Sequence, residues 1–156
     1  MTVNGIIIEL LKVLKESLDL LREYELVPIE VFKNDRKVQA IVEREFERAI
    51  MACIDIGARI ISIEQLIPAS NYVEIFDRLK EQGIIPAELN EAVKDLVRFR
   101  NVLSHEYFRI IPDRVHEKLR TCLSHFVSYA KRVDEYLRSS KCKPMAQKRS
   151  IPPSCV

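Results

Sequence analysis

The sequence predicts an all-α fold, an antiparallel up-and-down four-helix bundle with one additional short helix. Two observations carry this prediction. Apolar residues recur at steps of three and four over long stretches, while strand-type alternation is nowhere sustained. The chain of 156 residues also contains only three glycines, which leaves few tight turns for a sheet protein and excludes a glycine-rich phosphate-binding loop. At this length a single domain is expected.

Local signals place the helix boundaries. Asn34 or Asp35 can cap the start of the second long helix by accepting hydrogen bonds from its free backbone N–H groups. Gly83 can end the short helix, and Pro86 and Pro112 can each open a helix because their missing N–H is not needed there. The predicted helices cover about 3–24, 34–61, 71–81 (the short helix), 86–105 and 112–139, with a connection over 28–33.

The formal net charge of +2 is unevenly distributed along the chain. Of the 25 Lys and Arg residues five lie in 138–156, where there is no acid, so that 1–137 keeps 20 of them against all 23 Asp and Glu. A broadly basic nucleic-acid-binding surface is therefore excluded for the folded part, and any such contact needs a local patch. Residues 1–139 are predicted to form the domain and 140–156 a basic, disordered tail.

The cysteines and the apolar segments indicate the compartment. The four cysteines show no C-x-x-C spacing and no two histidines lie three or four residues apart, so we expect reduced thiols, no metal site and no cofactor. The N-terminal apolar run over 5–14 is interrupted by Glu9 and Lys12, and no stretch is long enough to span a membrane. A cytoplasmic protein without membrane contact is predicted.

The candidate chemistry lies at the end of the helix predicted over 86–105. There Arg100 occupies a position that the apolar pattern would give to an aliphatic residue. Burying its charge without a partner would cost several kcal/mol, so this level of the seam should be a wet cleft, an ion-paired site or a subunit interface. The stripe consists of Leu89, Val93, Leu96, Arg100, Leu103 and Tyr107.

Polar residues flank this stripe. Asn101, Ser104 and His105 follow at helical spacing, which places them on one side of Arg100. Arg100 and His105 are themselves about 140° apart on an ideal helix. They can converge on one ligand only if the helix loosens near His105 or if two copies of the segment face each other.

The same residues also fit ordinary structural roles. A lone histidine near a helix end is usually a solvated or capping residue, and an arginine in an apolar seam is more often part of an ion pair, here with Glu45 or Glu47 as candidate acids. Tyr107 fits a core aromatic with its hydroxyl at the surface. His116 and His125 lack a matching constellation and are interpreted as surface or packing residues.

The string Arg100, four residues, His105, one residue, Tyr107 resembles the R-x-x-x-x-H-x-Y signature of the HepT toxins, a branch of the HEPN superfamily. A polar residue such as Asn101 directly after the arginine is typical of HEPN ribonucleases. The resemblance extends over 1 to about 139. It implies an HEPN-like bundle that pairs into a homodimer, with both motifs lining one cleft, and a metal-independent endoribonuclease toxin.

The resemblance also implies roles for single residues. Arg100 and His105 would be the catalytic pair, with Asn101 and Ser104 as supporting residues. Tyr107 would receive AMP from an MntA-like nucleotidyltransferase antitoxin, with which the toxin would form a hetero-oligomer of a type VII-like HEPN/MNT system. RNA would be the substrate.

A local basic patch surrounds this motif. The segment 98–120 contains six basic residues against three acidic ones. Arg98, Arg109 and Arg114 are candidates for contact with RNA phosphates or with an acidic face of the antitoxin, two uses that the sequence does not separate.

Two other functional classes stay open from the sequence. One is a non-catalytic nucleotide- or partner-binding module that assists a separately encoded nucleotidyltransferase. The other is an unrelated helical interaction protein in which Arg100 merely pairs with an acid.

Overall fold

A computed structural model describes residues 3–142, which form seven α-helices and one 3₁₀ turn and contain no strand within that range. The all-α prediction is confirmed. The elements are α1 (Val3–Tyr24), α2 (Ile29–Phe32), α3 (Arg36–Ile63), α4 (Tyr72–Glu81), α5 (Ala87–His105), the 3₁₀ turn (Tyr107–Arg109), α6 (Pro112–Thr121) and α7 (Leu123–Cys142).

The four long helices α1, α3, α5 and α7 form the bundle. Helix α3 packs against α1 and α5, and α7 packs against the same two helices from the other side. Their inward stripes supply most of the buried apolar residues. The short helix α4 lies along α3 and α5, while α2 and α6 pack together at one end. No helix within residues 3–142 is long and apolar enough to cross a membrane.

Side-chain caps and a glycine fix the ends of α3 and α4. The Asp35 carboxylate accepts hydrogen bonds from the backbone N–H groups of Lys37 and Val38, so Asp35 rather than Asn34 caps α3. The Asn71 side chain accepts from Glu74 N–H at the start of α4. After α4, Gly83 adopts φ +72°, the left-handed conformation that closes a helix without a Cβ penalty.

Two predicted boundaries are wrong because a packed element replaces a simple connection or a continuous helix. The connection over 28–33 contains the short helix α2, whose Phe32 is buried against His116. The helix predicted over 112–139 is interrupted at Cys122, where the backbone has φ −107°. In the last turn of α6 the Thr121 hydroxyl donates to the Glu117 carbonyl, a bond that often accompanies a bent helix, and α6 packs against α2.

The last helix is longer than predicted. Helix α7 continues through Cys142, past its predicted end near residue 139. The remainder of the predicted tail, 143–156, lies outside the described residues.

A close approach of three helices surrounds Gly57 on α3. The hydroxyl of the buried Tyr129 on α7 donates to the Cys53 carbonyl at 2.9 Å, and Ile75 of α4 packs over the same turn. A Cβ at position 57 would lie 2.5 Å from Cγ2 of Ile75 and 3.4 Å from the Tyr129 hydroxyl. Glycine is required here for space. Burial also raises the pKa of the Cys53 thiol, which is not paired in a disulfide.

The substitution Gly57→Ala should destabilise the protein although alanine is the better helix former. The clash with Ile75 should outweigh the gain in helix propensity and lower the free energy of unfolding by about 1–2 kcal/mol, measured by urea denaturation. In an Ile75→Ala background, which removes the clashing methyl group, the same substitution should cost little or stabilise. Equal losses in both backgrounds would contradict the steric explanation.

Candidate active site

Arg100 lies on the inward face of α5, between the buried side chains of Leu96 and Leu103. The side chain is half-buried, and its Nε is buried without a hydrogen-bond partner. Its Cζ lies 5.8 Å from the centroid of the Tyr72 ring at the start of α4. Within residues 3–142 no carboxylate lies within ion-pair distance of the guanidinium. At this level the seam holds a half-buried cation without an acidic partner, and we call Arg100 and its surroundings the Arg100 site.

The interpretation of Arg100 as a structural ion pair with Glu45 or Glu47 is wrong. Glu45 pairs with Arg48 at 3.4 Å. Glu47 accepts a hydrogen bond of 2.9 Å from the hydroxyl of Ser104. Both candidate acids are thus engaged elsewhere, because α3 presents them to other partners. Ser104, one of the predicted supporting residues, is fixed to α3 by this bond.

His105 is the last residue of α5, and its side chain is exposed. Helix α5 stays regular through this residue, and its end comes only at Glu106, where the backbone has φ −124° and ψ 41°. The helix therefore does not loosen before His105, and it ends directly after that residue. Within residues 3–142 the imidazole makes no hydrogen bond with another side chain, and Asn101 one turn earlier is also exposed. No hydrogen bond or ring contact joins Arg100 to His105 within the same range.

Tyr107 is exposed rather than a core aromatic. It lies on the 3₁₀ turn after α5, so its predicted position on the Arg100 stripe of one continuous helix is wrong. Its side chain is 73% exposed and that of Phe108 is 71% exposed, with the rings edge to face at 5.9 Å. The Tyr107 hydroxyl makes no hydrogen bond within residues 3–142, so a reagent can reach it.

The three predicted contact arginines line one groove between α5 and α6, with a volume of about 250 Å³. Arg98 pairs with Asp95 at 2.6 Å, and Arg109 pairs with Glu106 at 3.4 Å. The floor is apolar and the rim is basic. Helical geometry places Arg98 about 160° from Arg100 on α5, so the Arg98 and Arg100 side chains lie on different faces of the helix. Other lining residues include Phe99, Val102, Leu103, Val115 and Lys118.

A polar cluster holds α4 along α5. The Asp77 carboxylate of α4 accepts hydrogen bonds from the Asn90 side-chain amide at 2.9 Å and from the Lys94 ammonium at 3.1 Å. The bond from Asn90, with further contributions from Lys94, lowers the pKa of Asp77 below its usual value. The bond to Asp77 in turn raises the pKa of Lys94. This cluster sets the register that brings Tyr72 to the level of Arg100.

The other two histidines, His116 and His125, lie outside the Arg100 site. His116 is buried, with Nε2 2.7 Å from the Val27 carbonyl oxygen, and so has the predicted packing role. His125 is half-buried on α7. Among residues 3–142 no group of three or more His, Cys, Asp or Glu side chains is arranged to hold a metal ion.

Sequence reasoning missed Tyr72 as a neighbour of Arg100 and Glu47 as the anchor of Ser104. Both contacts join helices that are distant in the chain. No spacing signal within one helix reports such a contact. The weak signal available was the aromatic residue directly after Asn71, at a helix start that was itself predicted.

The sequence model of the ribonuclease HepT-like family matches residues 14–133. The chain belongs to the ribonuclease HepT-like family. It is 27% identical over 136 residues to the tRNA nuclease HepT of Aphanizomenon flos-aquae, covering 86% of this chain and 92% of that protein. It is 31% identical over 99 residues to the mRNA nuclease HepT of Shewanella oneidensis, covering 63% of this chain and 74% of that protein.

Solved structures show the same fold. One is the tri-AMPylated Shewanella oneidensis HEPN toxin in complex with its MNT antitoxin, with a TM-score of 0.79, 24% identity and coverage of 86% of this chain and 99% of that one. Another is the cytosolic Bacillus subtilis protein YutE, of unknown function, with a TM-score of 0.80, 16% identity and coverage of 92% and 96%. The HEPN-like bundle and the membership among HepT-like ribonucleases, both predicted from sequence, are confirmed.

Acid should weaken the α4–α5 contact through Asp77. Folding lowers the pKa of the Asp77 carboxyl below its ordinary value of 3.8. The ionised carboxylate therefore stabilises the folded protein at pH values above 3.8, and this contribution is lost as the pH falls below that value. Asp77→Asn should therefore lower stability at neutral pH, and its difference from wild type should shrink as the pH falls from about 4 to 2. Urea denaturation across this range measures the difference.

The matched control is Asp19→Asn, which removes an exposed pair with Lys15 on α1. Such pairs contribute little, so the control curve should follow that of wild type. Parallel curves for Asp77→Asn and wild type between pH 4 and 2 would contradict the role of the cluster.

Proposed function

We propose that this chain is a metal-independent endoribonuclease toxin of a type VII-like HEPN/MNT toxin–antitoxin system, with Arg100 and His105 as the catalytic residues. The observation that carries the proposal is the half-buried guanidinium of Arg100, which has no acidic partner within residues 3–142. Its charge is free to meet a phosphate. A non-catalytic binding module would not need an unpaired cation at this position of the apolar seam.

RNA is the proposed substrate class. Two relatives are named as nucleases, one of tRNA and one of mRNA, so we propose RNA without choosing between these targets. RNA carries its own nucleophile, the 2′-hydroxyl. A ribonuclease therefore needs only to move protons and to stabilise the pentacoordinate phosphate.

The chemistry assigns one task to each residue type. One His105 imidazole removes the proton of the 2′-hydroxyl, whose oxygen attacks phosphorus, while a second imidazole protonates the 5′ oxygen as its bond to phosphorus breaks. The guanidinium of Arg100 donates to two phosphate oxygens and stabilises the added negative charge. Asn101 and Ser104 support this site, the latter through its bond to Glu47.

A shared site between two subunits follows from the geometry of α5. Arg100 faces inward and His105 is exposed about 140° away on a regular helix, so a single helix does not aim both at one phosphate. A homodimer in which two copies of the end of α5 face each other supplies both groups and the second imidazole. We therefore propose the homodimer as the active form.

Tyr107 is the proposed site of regulation by a MntA-like nucleotidyltransferase antitoxin. Support comes from the exposure of its hydroxyl and from the solved HEPN toxin that is tri-AMPylated in complex with its MNT antitoxin. The phenolic oxygen would attack the α-phosphorus of ATP, lose its proton and release pyrophosphate. The added AMP puts bulk and negative charge two residues after His105, where it hinders RNA.

The basic rim of the α5–α6 groove gives a second contact surface. We propose that Arg98, Arg109 and Arg114 contact phosphates of the RNA backbone or an acidic face of the antitoxin. Their partial pairing with Asp95 and Glu106 leaves guanidinium edges open to either partner.

Arg100→Ala and His105→Ala should each lower the rate of RNA cleavage by about 10² to 10⁴, because one removes phosphate stabilisation and the other proton transfer. Growth and RNA integrity in expressing cells, with and without the antitoxin, give the biological readout. The controls are Arg59→Ala on α3 and His125→Ala on α7, which replace the same residue types away from the proposed catalytic residues. Toxicity that survives both active-site substitutions would remove the proposed mechanism.

Mixed dimers test whether the two subunits share one active site. Dimers purified with one wild-type and one His105→Ala subunit should be nearly inactive, because only one of the two proton transfers remains. Half or more of the wild-type activity in such dimers would refute the two-subunit version.

Tyr107→Phe should block the addition of AMP while leaving the proposed catalytic residues Arg100 and His105 intact. Incubation of the wild-type protein with ATP and antitoxin should add AMP, seen by intact mass and peptide mapping, and should stop RNA cleavage. Tyr107→Phe should keep its mass and stay active. Tyr72→Phe, which removes the hydroxyl of another exposed tyrosine, should be modified like wild type; AMP mapped anywhere but Tyr107 would contradict the assignment.

A further inference from the structure

We infer that Tyr72 is a positioning residue for Arg100, holding the guanidinium in place with the face of its ring. This inference rests on the proposed role of Arg100 in the function above. Tyr72 is the first residue of α4, and its ring centroid lies 5.8 Å from Cζ of Arg100. That distance is within the range in which a cation is attracted by an aromatic face.

The ring meets a guanidinium that has no other partner within residues 3–142. Nε of Arg100 is buried and unbonded, and the terminal nitrogens make no hydrogen bond there. Without an interaction of some kind, a half-buried arginine of this length would sample several rotamers. The Tyr72 ring is the contact that selects one.

An aromatic ring restrains this cation without neutralising it. A carboxylate at the same place would occupy the donor nitrogens and cancel the charge that a phosphate needs. A ring face attracts the guanidinium as a whole and leaves its N–H edge available for two phosphate oxygens. The choice of tyrosine over an acid at this position thus fits an anion-binding arginine and not a structural one.

Contacts at the start and in the middle of α4 fix the position of the ring. Asn71 caps the helix start, and the Glu74 carboxylate accepts a hydrogen bond of 2.8 Å from Ser70 N–H, which anchors the backbone on either side of Tyr72. Further along α4, Asp77 is bonded to α5. The ring is therefore held at the level of Arg100 by contacts that do not involve Arg100.

The hydroxyl of Tyr72 has no part in this role. It makes no hydrogen bond within residues 3–142, and the side chain is 43% exposed. The ring without the hydroxyl should suffice, whereas an aliphatic side chain of similar bulk should not. This separates Tyr72→Phe from Tyr72→Leu.

The experiment compares full-length wild type, Tyr72→Phe, Tyr72→Leu and Arg100→Ala. Cleavage of an RNA oligonucleotide is measured as kcat and KM, and the thermal midpoint is recorded for each protein. Tyr72→Leu should lose about five- to ten-fold in kcat with little change in KM, because the transition-state contact is misaligned, and Tyr72→Phe should stay within about two-fold of wild type. A residue that served only the packing of α4 would shift the midpoint and leave kcat unchanged.

A second readout does not depend on activity. The Nε–Hε resonance of Arg100, assigned in ¹H–¹⁵N spectra by its loss in Arg100→Lys, should carry a ring-current shift that persists in Tyr72→Phe and disappears in Tyr72→Leu. If wild type and Arg100→Ala cleave RNA equally, the proposed function fails, while the resonance still decides whether the ring holds the guanidinium. An unchanged resonance together with wild-type kcat in Tyr72→Leu would overturn the inference and leave the proposed function standing.

Discussion

The guanidinium of Arg100 lies in the apolar seam of α5 without an acidic partner, and this unpaired charge constrains the structure around it. Sealed among aliphatic side chains, an unpaired cation would cost several kcal/mol. The seam must therefore stay partly open at this level. The Tyr72 ring lies against the guanidinium, and Glu47 is bonded to Ser104 and provides no counter-ion. The partial exposure of the guanidinium follows from placing this one residue in the apolar seam.

The interruption of the last helix at Cys122 decides where α6 lies. Helix α6 packs against α2 and α3 as well as α7. A continuous helix would run along the bundle and could not fold α6 back against α2. The interruption thus creates the groove in which Arg98 and Arg114 stand together, on the side of α5 remote from Arg100.

The sequence predicted those parts of the fold that depend on local chemistry. Asp35, Asn71 and Gly83 mark helix ends through their own side chain or backbone, so their signals are readable in the chain. The interruption at Cys122 could not be predicted from the sequence. The apolar period of the last helix continues across it, and the neighbouring hydrogen bond is made by Thr121, a residue type common inside helices. The missing ion pair of Arg100 depends on the partners that Glu45 and Glu47 find on other elements. Tertiary pairing decides such points, and single-helix periodicity carries no information on it.

The spacing of the motif itself has a geometric consequence. Residues four apart on a helix are separated by about 40°, so an arginine and a histidine at that spacing would face the same ligand from one helix. Five residues, as between Arg100 and His105, separate the directions by about 140°, and α5 shows no loosening that would reduce this angle. One side chain is then directed into the seam of its own subunit and the other away from it. On the proposed mechanism, a phosphate can touch both groups only where a second α5 approaches, so that dimerisation completes the site and ties activity to assembly. On the same proposal an inhibitor need not reach the half-buried arginine, since AMP on Tyr107, two residues after the end of α5, would separate the two subunits or exclude RNA from between them.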